Sequence, residues 1–194
     1  MTESINQPSP PAYQLIIDAT LQSGFTMASD PLTGTLLRSL AATKPGGRLL
    51  ELGTGTGLST SWILDGMDQS ATLQSIDNDA GVLAIAKEHL SNDLRVRFTL
   101  SDGEAWVLNN LHWQFDFIFA DTWHGKYLLL NEVLNMLAPG GIYIVDDMLP
   151  QPNWPEGHAE KVNNFIAEIE SKKDLHVTKQ LWATGIIIAV KKSA

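Results

Sequence analysis

The stretch LLELGTGTGLST, residues 49–60, decides the fold. An apolar run leads into Gly53, Gly55 and Gly57, and a segment with helical pattern follows. Glycine adopts backbone angles that other residues avoid, and it lets a ligand approach the main chain closely. A helix that starts directly after such a turn presents free N–H groups and the positive end of its dipole, which suits an anionic group such as a carboxylate. The stretch therefore predicts a strand, a ligand-binding loop and a helix.

Beyond this stretch, short apolar runs alternate with amphipathic helical patterns. Such alternation predicts an α/β fold with a parallel sheet covered by helices on both faces. Residues 115–120 and 142–145 lack period-two alternation, as expected for strands buried on both sides. The predicted strands are 48–52, 72–76, 96–100, 115–120, 142–145, 176–181 and 186–190. The predicted helices are 13–24, 31–43, 59–66, 80–90, 103–110, 127–137 and 162–169.

The two ends of the chain differ from its middle. Residues 176–181 and 186–190 flank the short turn at 182–185, which predicts an antiparallel hairpin that closes the sheet. Residues 1–12 are polar and rich in proline, and they predict a flexible arm before a single domain at 13–194.

Composition excludes several classes of function. The 194 residues include 13 Lys and Arg against 22 Asp and Glu, a formal charge of −9, which argues against a nucleic-acid partner. The absence of cysteine excludes disulfides, thiolate catalysis and cysteine-based zinc sites. Without a basic, apolar leader or an apolar run of about 18 residues, we expect a cytoplasmic protein with no membrane partner.

The spacing of the glycines separates two classes of nucleotide site. A dinucleotide loop, G-x-G-x-x-G, needs a glycine at position 58 or 60, where Leu58 and Thr60 stand, so an NAD-type oxidoreductase is disfavoured. The pattern E-x-G-x-G-x-G, led by Glu51, resembles motif I of the class I S-adenosylmethionine-dependent methyltransferases. The resemblance implies a Rossmann-like, doubly wound, seven-stranded and mostly parallel sheet, and S-adenosylmethionine as cofactor. A tight turn in another α/β protein is the alternative.

Further positions match this family. Asp77 ends the second strand, where the family has an acid that binds both ribose hydroxyls, and a carboxylate can accept two O–H groups. Asp102 and Gly103 match the adenine-binding segment, and Ser59 matches a position that binds the methionine carboxylate. The cofactor-binding residues predicted on this basis are Glu51, Gly53, Gly55, Gly57, Ser59, Asp77, Asp102, Gly103, Asp121 and Trp123.

Three longer segments are similar to the catechol/caffeoyl-CoA-type O-methyltransferases and their bacterial relatives. They are TMAS at 26–29, FDFIFADTWHGKY at 115–127 and YIVDDML at 143–149. The resemblance implies that Asp121 binds a metal and takes part in catalysis, and that Trp123 covers the adenine. His124 stands where the catechol enzymes have a lysine general base, and Lys126 is the alternative for that role. A small hydroxylated acceptor and a possible homodimer are also implied.

Asp121, Asp146 and Asp147 suggest a metal site on physical grounds as well. Asp121 and Asp146 each follow an apolar strand, and if those strands are neighbours their ends lie about 5 Å apart. Three carboxylates at one sheet edge repel each other unless a cation lies between them, and oxygen ligands favour Mg²⁺ or another hard divalent cation. The alternative is that these are solvated turn residues, and Asp147 replaces the family's usual asparagine.

The sequence therefore predicts an O-methyltransferase acting on a small-molecule hydroxyl, with divalent-metal assistance as an option. One alternative is a metal-independent methyltransferase with an amine or protein acceptor. Another is a protein that binds the cofactor without turnover. Trp154 and His158 follow the fifth strand, where they either line the acceptor pocket or cover apolar surface.

Overall fold

A computed structural model describes residue 5, residues 7–152 and residues 154–193. The helices are α1 (Tyr13–Ser23), α2 (Pro31–Ala41), α3 (Leu58–Gly66), α4 (Ala80–Leu90), α5 (Gly103–Asn109), α6 (Leu130–Asn135) and α7 (His158–Ser171). The strands are β1 (Arg48–Leu52), β2 (Thr72–Asp77), β3 (Val96–Leu100), β4 (Phe115–Ala120), β5 (Leu137–Val145), β6 (Leu175–Gln180) and β7 (Ile186–Lys191).

The strands form one seven-stranded sheet in the order β3-β2-β1-β4-β5-β7-β6. The first five run parallel, whereas β7 pairs antiparallel with both β5 and β6. Because the order reverses between β1 and β4, their carboxyl ends open a crevice, which is where ligands bind in such folds. The α/β fold and the C-terminal antiparallel hairpin are therefore confirmed.

Two apolar cores lie on opposite faces of the sheet. One packs α5, α6 and α7 against the sheet, and the other packs α1, α2 and α3. Phe117 and Ile118 are adjacent in β4 and both are fully buried, each in a different core. Burial on both faces explains why the strand sequences lack alternation.

α7 and β5 begin before their predicted first residues, at His158 and Leu137, whereas α6 begins later than predicted. The pattern at residues 127–137 predicted a helix from Tyr127 to Leu137, but α6 begins at Leu130 because Leu129 has a left-handed backbone, with φ 58°. Leu137 instead begins β5, where it pairs with Phe115. Tyr127 is thereby released into the loop after β4.

The N-terminal arm lies partly outside the described residues, since residues 1–4 and 6 are not among them. In the described part, Pro10 is buried and the Pro8 carbonyl accepts a hydrogen bond from Arg38, with 2.9 Å between N and O. The boundary between a flexible arm at 1–12 and a domain at 13–194 stays a prediction. No helix of the described chain is long and apolar enough to cross a membrane.

Candidate functional site

A cavity of about 630 Å³ opens at the carboxyl ends of β1, β2, β4 and β5. We call it the large cavity, and its volume is typical of a small-molecule site. A small cavity of about 30 Å³ adjoins it on the β3 side. Gly53, Asp77, Asn78 and Thr122 line both cavities, so the two are one continuous surface.

The glycine loop forms the floor of the large cavity, and each predicted glycine meets a different need. Gly53 has φ +98°, and a Cβ there would lie 2.6 Å from the carbonyl oxygen of Asp121, so no side chain fits. Gly55 has φ +53° and also lines the cavity. Gly57 has φ +94°, and a Cβ there would lie 2.9 Å from the Cβ of Ala86. Glycine is therefore required at this position by close packing against α4, since Gly57 does not line the large cavity.

Glu51 lies behind the loop and does not line the large cavity. Its carboxylate is fully buried and accepts hydrogen bonds from Ser59 at 2.7 Å, Thr60 at 2.6 Å and Ser75 at 2.6 Å. Burial raises the pKa of Glu51 to about 7, although these hydroxyl donors lower it. Glu51 thus ties the end of β1 to α3 and β2, and its direct contact with a cofactor stays a prediction. Ser59 lines the cavity while it donates to Glu51.

Asp77 stands at the junction of the two cavities. Its carboxylate accepts the N–H of Gly55 at 2.7 Å and that of Asp79 at 2.9 Å, which fixes its orientation. Asp79 also lines the large cavity, and as the cap of α4 its carboxylate accepts the N–H groups of Gly81 and Val82.

The two predicted residues after β3 take different places. Asp102 caps α5 by accepting the N–H of Ala105 at 3.0 Å, and it lines neither cavity. Gly103 lines the small cavity.

A covering segment, residues 25–30, closes one side of the large cavity. Ser29 donates a hydrogen bond to the Oδ2 atom of Asp121 at 3.0 Å, and the ring of Phe25 would lie 3.4 Å from a Cβ on Gly55. Thr20 on α1 donates to Thr56 of the glycine loop at 2.8 Å. The N-terminal helices therefore hold the covering segment against the loop.

The three aspartates predicted as metal ligands all line the large cavity, and one oxygen each of Asp121 and Asp146 accepts hydrogen bonds from the protein. Asp121 accepts from Ser29, and Asp146 accepts from Thr184 and from the N–H of Asp147. Burial raises the pKa of both Asp121 and Asp146, and repulsion by neighbouring carboxylates, Asp147 in both cases, raises it further. Among the described residues no three acidic or histidine side chains form a group that could hold a metal ion. In this arrangement, the described acidic and histidine side chains do not form a metal-binding site.

The far wall of the large cavity carries aromatic rings and a buried cation. Lys126 is 5% exposed, and its positive charge lowers the pKa of Asp121. Its Nζ lies 5.6 Å from the centroid of the Tyr127 ring. Tyr127 and His158 share a hydrogen bond of 3.1 Å between Oη and Nε2, and the rings of His158 and Trp154 lie 4.7 Å apart. We call Lys126, Tyr127, Trp154 and His158 the acceptor wall.

Trp123 and His124 point to different cavities. Trp123 lines the large cavity and is 46% exposed. The Nζ atom of Lys161 lies over its ring, 4.0 Å from the ring centroid. His124, predicted as the general base, lines the small cavity. A Cβ on Gly103 would lie 2.6 Å from its Nδ1 atom.

Sequence reasoning missed several lining residues. Thr184 reaches Asp146 from the hairpin turn, 38 positions along the chain, and no local pattern indicates such a contact. Tyr127 was assigned to a helix face. Thr54, Thr56 and Phe25 also line the cavity, and the glycine motif offered a signal for the two threonines because they lie within it.

Comparison with known proteins gives a family match for the central part of the chain. The family profile described as "Methyltransferase domain" matches residues 50–148, which is 99 of the 194 residues. The trans-aconitate 2-methyltransferase of Delftia acidovorans is 31% identical over 127 residues, covering 63% of this chain and 43% of that protein. A Mycobacterium avium protein named "Putative O-methyltransferase" is 28% identical over 125 residues, covering 61% of this chain and 55% of that protein. The chain thus spans about half the length of these relatives.

Solved structures share the fold. An O-methyltransferase from Bacillus cereus, in complex with SAH, superposes with a TM-score of 0.84 at 18% identity, covering 97% of this chain and 94% of that one. The O-methyltransferase TomG from Streptomyces achromogenes, in complex with SAM, gives a TM-score of 0.82 at 20% identity, covering 97% and 93%. At these identities the likeness establishes the fold.

Proposed function

The chain belongs to the methyltransferase domain family, and from that premise we propose that it transfers a methyl group from S-adenosylmethionine to a hydroxyl oxygen of a small molecule. One observation carries the proposal. A single cavity holds the loop N–H groups and Asp77 at one end and the acceptor wall with Lys126 at the other. Such a cavity can hold a nucleoside and an acceptor side by side.

The electrostatics of the cavity support a cationic cofactor. Asp30, Asp77, Asp79, Asp121, Asp146 and Asp147 line it, together with Lys126 and His158. S-adenosylmethionine, when bound, supplies a methyl carbon made electrophilic by a positively charged sulfonium. An acidic cavity attracts that cation more strongly than the neutral thioether that remains after transfer, which favours release of the product.

The residues of the chain act mainly by positioning. Asp77 is oriented by two backbone N–H groups and can accept two ribose hydroxyls, and the start of α3 offers N–H groups to a carboxylate. The covering segment, held to Asp121 through Ser29, forms one side of the cavity. Orientation of this kind supplies most of the rate when the electrophile arrives activated.

Lys126 is the residue best placed to assist the acceptor. Its ammonium group is buried at the end of the cavity that also holds Asp146 and Asp147, and its charge stabilises an acceptor oxygen that loses its proton. The rings of Tyr127, Trp154 and Trp123 suit a small, partly apolar acceptor.

The metal-independent version of this function has the better support. Among the described residues no three acidic or histidine side chains are arranged to hold a cation, and Ser29 and Thr184 each donate a hydrogen bond to one oxygen of Asp121 and of Asp146, respectively. Lys126 supplies the positive charge near the acceptor.

Two measurements test the proposal. Calorimetric titration with S-adenosylhomocysteine should show one site per chain, and radiolabelled S-adenosylmethionine should methylate at least one member of a panel of phenols, catechols and hydroxy acids. Activity should persist in EDTA. No binding of S-adenosylhomocysteine would refute the proposal, whereas binding without turnover across the panel would support the alternative of a cofactor-binding protein. Loss of activity in EDTA, restored by Mg²⁺, would refute the metal-independent version.

A further inference from the structure

The position of Asp77 fixes which cavity receives the base of a nucleoside. If Asp77 holds the ribose, as the proposed function requires, the sugar lies at the junction of the two cavities. The methyl group must face the acceptor wall, which lies on the β5 side of the large cavity. The base must then extend the other way, towards Ser101 and Gly103 at the end of β3, and this is the small cavity.

In the loop after β4, Trp123 lines the large cavity and the next residue, His124, lines the small cavity. The carbonyl of Trp123 accepts the N–H groups of Tyr127 and Leu128, each at 2.9 Å, and the N–H of Gly125 donates to Leu128. This compact turn directs Trp123 to the large cavity and His124 to the small one. His124 is half-buried there, and it carries the sole aromatic ring among the described residues that line the small cavity.

We propose that His124 forms the wall of the adenine pocket and that Trp123 belongs to the acceptor side, the reverse of the roles implied by the family resemblance. This inference rests on the proposed function. The family pattern assigns an aromatic cover over the adenine to position 123 and a proton acceptor to position 124. In this chain the ring of Trp123 lies beside Tyr127 of the acceptor wall, and His124 lines the small cavity.

The size of the small cavity implies that the His124 ring moves when the base binds. About 30 Å³ holds roughly two water molecules and not a purine. Gly103 is close enough to the imidazole that even a methyl group there would meet it at 2.6 Å. The ring must therefore turn outward around the adenine, and in that position its face can stack on the purine.

Titration calorimetry with S-adenosylhomocysteine separates the two assignments. Stacking of a base on an aromatic ring contributes about 1–3 kcal/mol, so His124→Ala should weaken binding by about 5- to 150-fold. His124→Phe keeps an aromatic face and should stay within about 3-fold of the parent protein. Trp123→Ala should also stay within about 3-fold. His112→Ala is the matched control, because His112 is exposed and lies outside both cavities.

A spectroscopic measurement gives a second readout. Proton NMR, with the His124 ring signals assigned by their absence from His124→Phe, should show these signals shifting upfield on addition of S-adenosylhomocysteine. S-ribosylhomocysteine, which lacks the base, should leave them unmoved. Circular dichroism and thermal melting of each variant establish that it is folded.

The possible outcomes are distinct. Unchanged affinity in His124→Ala, or a loss in Trp123→Ala, overturns the exchange of roles. His124 ring signals that do not shift on addition of S-adenosylhomocysteine would also overturn the proposed roles. Failure of the parent protein itself to bind S-adenosylhomocysteine refutes the proposed function, which is a different result.

Discussion

Replacement of Glu51 by glutamine should change how the stability of the protein depends on pH. Glu51 is fully buried, and its pKa rises from an ordinary 4.5 to about 7, chiefly because burial disfavours the charged form. In the unfolded chain the same carboxyl group loses its proton at lower pH. Between these two values the unfolded state binds fewer protons, so the free energy of unfolding falls as pH rises.

The size of the effect follows from the shift. Each pKa unit corresponds to about 1.36 kcal/mol, so a shift from 4.5 to about 7 costs the folded parent protein about 3 kcal/mol above the upper pKa. Most of this loss, roughly 2–3 kcal/mol, falls between about pH 5 and pH 8.5. Glutamine has no such titration. Its amide can still contact the hydroxyls of Ser59, Thr60 and Ser75, because hydroxyl groups rotate to donate or accept.

Urea unfolding of the parent protein and of Glu51→Gln, each at about pH 5 and about pH 8.5, measures the difference directly. Between the lower and the higher pH, the free energy of unfolding of Glu51→Gln should rise relative to that of the parent by roughly 2–3 kcal/mol. This corresponds to a relative shift of the unfolding midpoint of about 1 M urea. Glu88→Gln makes the same chemical change at an exposed position of α4 and should show no such gain. A difference between Glu51→Gln and the parent that is equal at both pH values would refute the reasoning.

Other residues of the cavity give predictions that are tested in simpler ways. Asp77→Ala should weaken binding of S-adenosylhomocysteine by about 10- to 100-fold by calorimetry, because hydrogen bonds to a charged group contribute about 1.5–3 kcal/mol; affinity equal to that of the parent would exclude Asp77 from the ribose site. Gly53→Ala should lower the melting temperature by several degrees, since a Cβ there would lie 2.6 Å from a backbone oxygen at φ +98°, and an unchanged melting curve would show that the loop relaxes without cost. Lys126→Met should reduce methyl transfer to the best acceptor of the panel by at least about 10-fold while affinity for S-adenosylhomocysteine stays within about 2-fold; unchanged turnover would remove Lys126 from the acceptor site.

The fold was predictable from the sequence because its signals are local. Each buried strand is a short apolar run, and the caps of α2 and α4, Asp30 and Asp79, directly precede the helices in the sequence. The late start of α6, in contrast, depends on a single left-handed residue, Leu129. A leucine there carries no sequence signal, since left-handed backbone ordinarily favours glycine or asparagine.

The site was less predictable because its contacts are distant along the chain. Motif spacing located the glycine loop and Asp77, which lie within about 30 residues of each other. It could not reveal that Thr184 and Ser29 donate hydrogen bonds to Asp146 and Asp121, because those pairs are 38 and 92 positions apart. The directions of Trp123 and His124 depend on a turn whose hydrogen bonds are visible only in three dimensions.

The place of β7 in the sheet constrains the order in which the protein can mature during synthesis. β7 lies between β5 and β6, and the turn before it supplies the partners of Met148, Leu149 and Asp146. During synthesis the glycine loop and Asp77 emerge before residues 184–185, so the carboxyl end of β5 acquires its hydrogen bonds to Thr184 and Gly185 only after the hairpin turn has left the ribosome. The end of the cavity at Asp146 is therefore completed last.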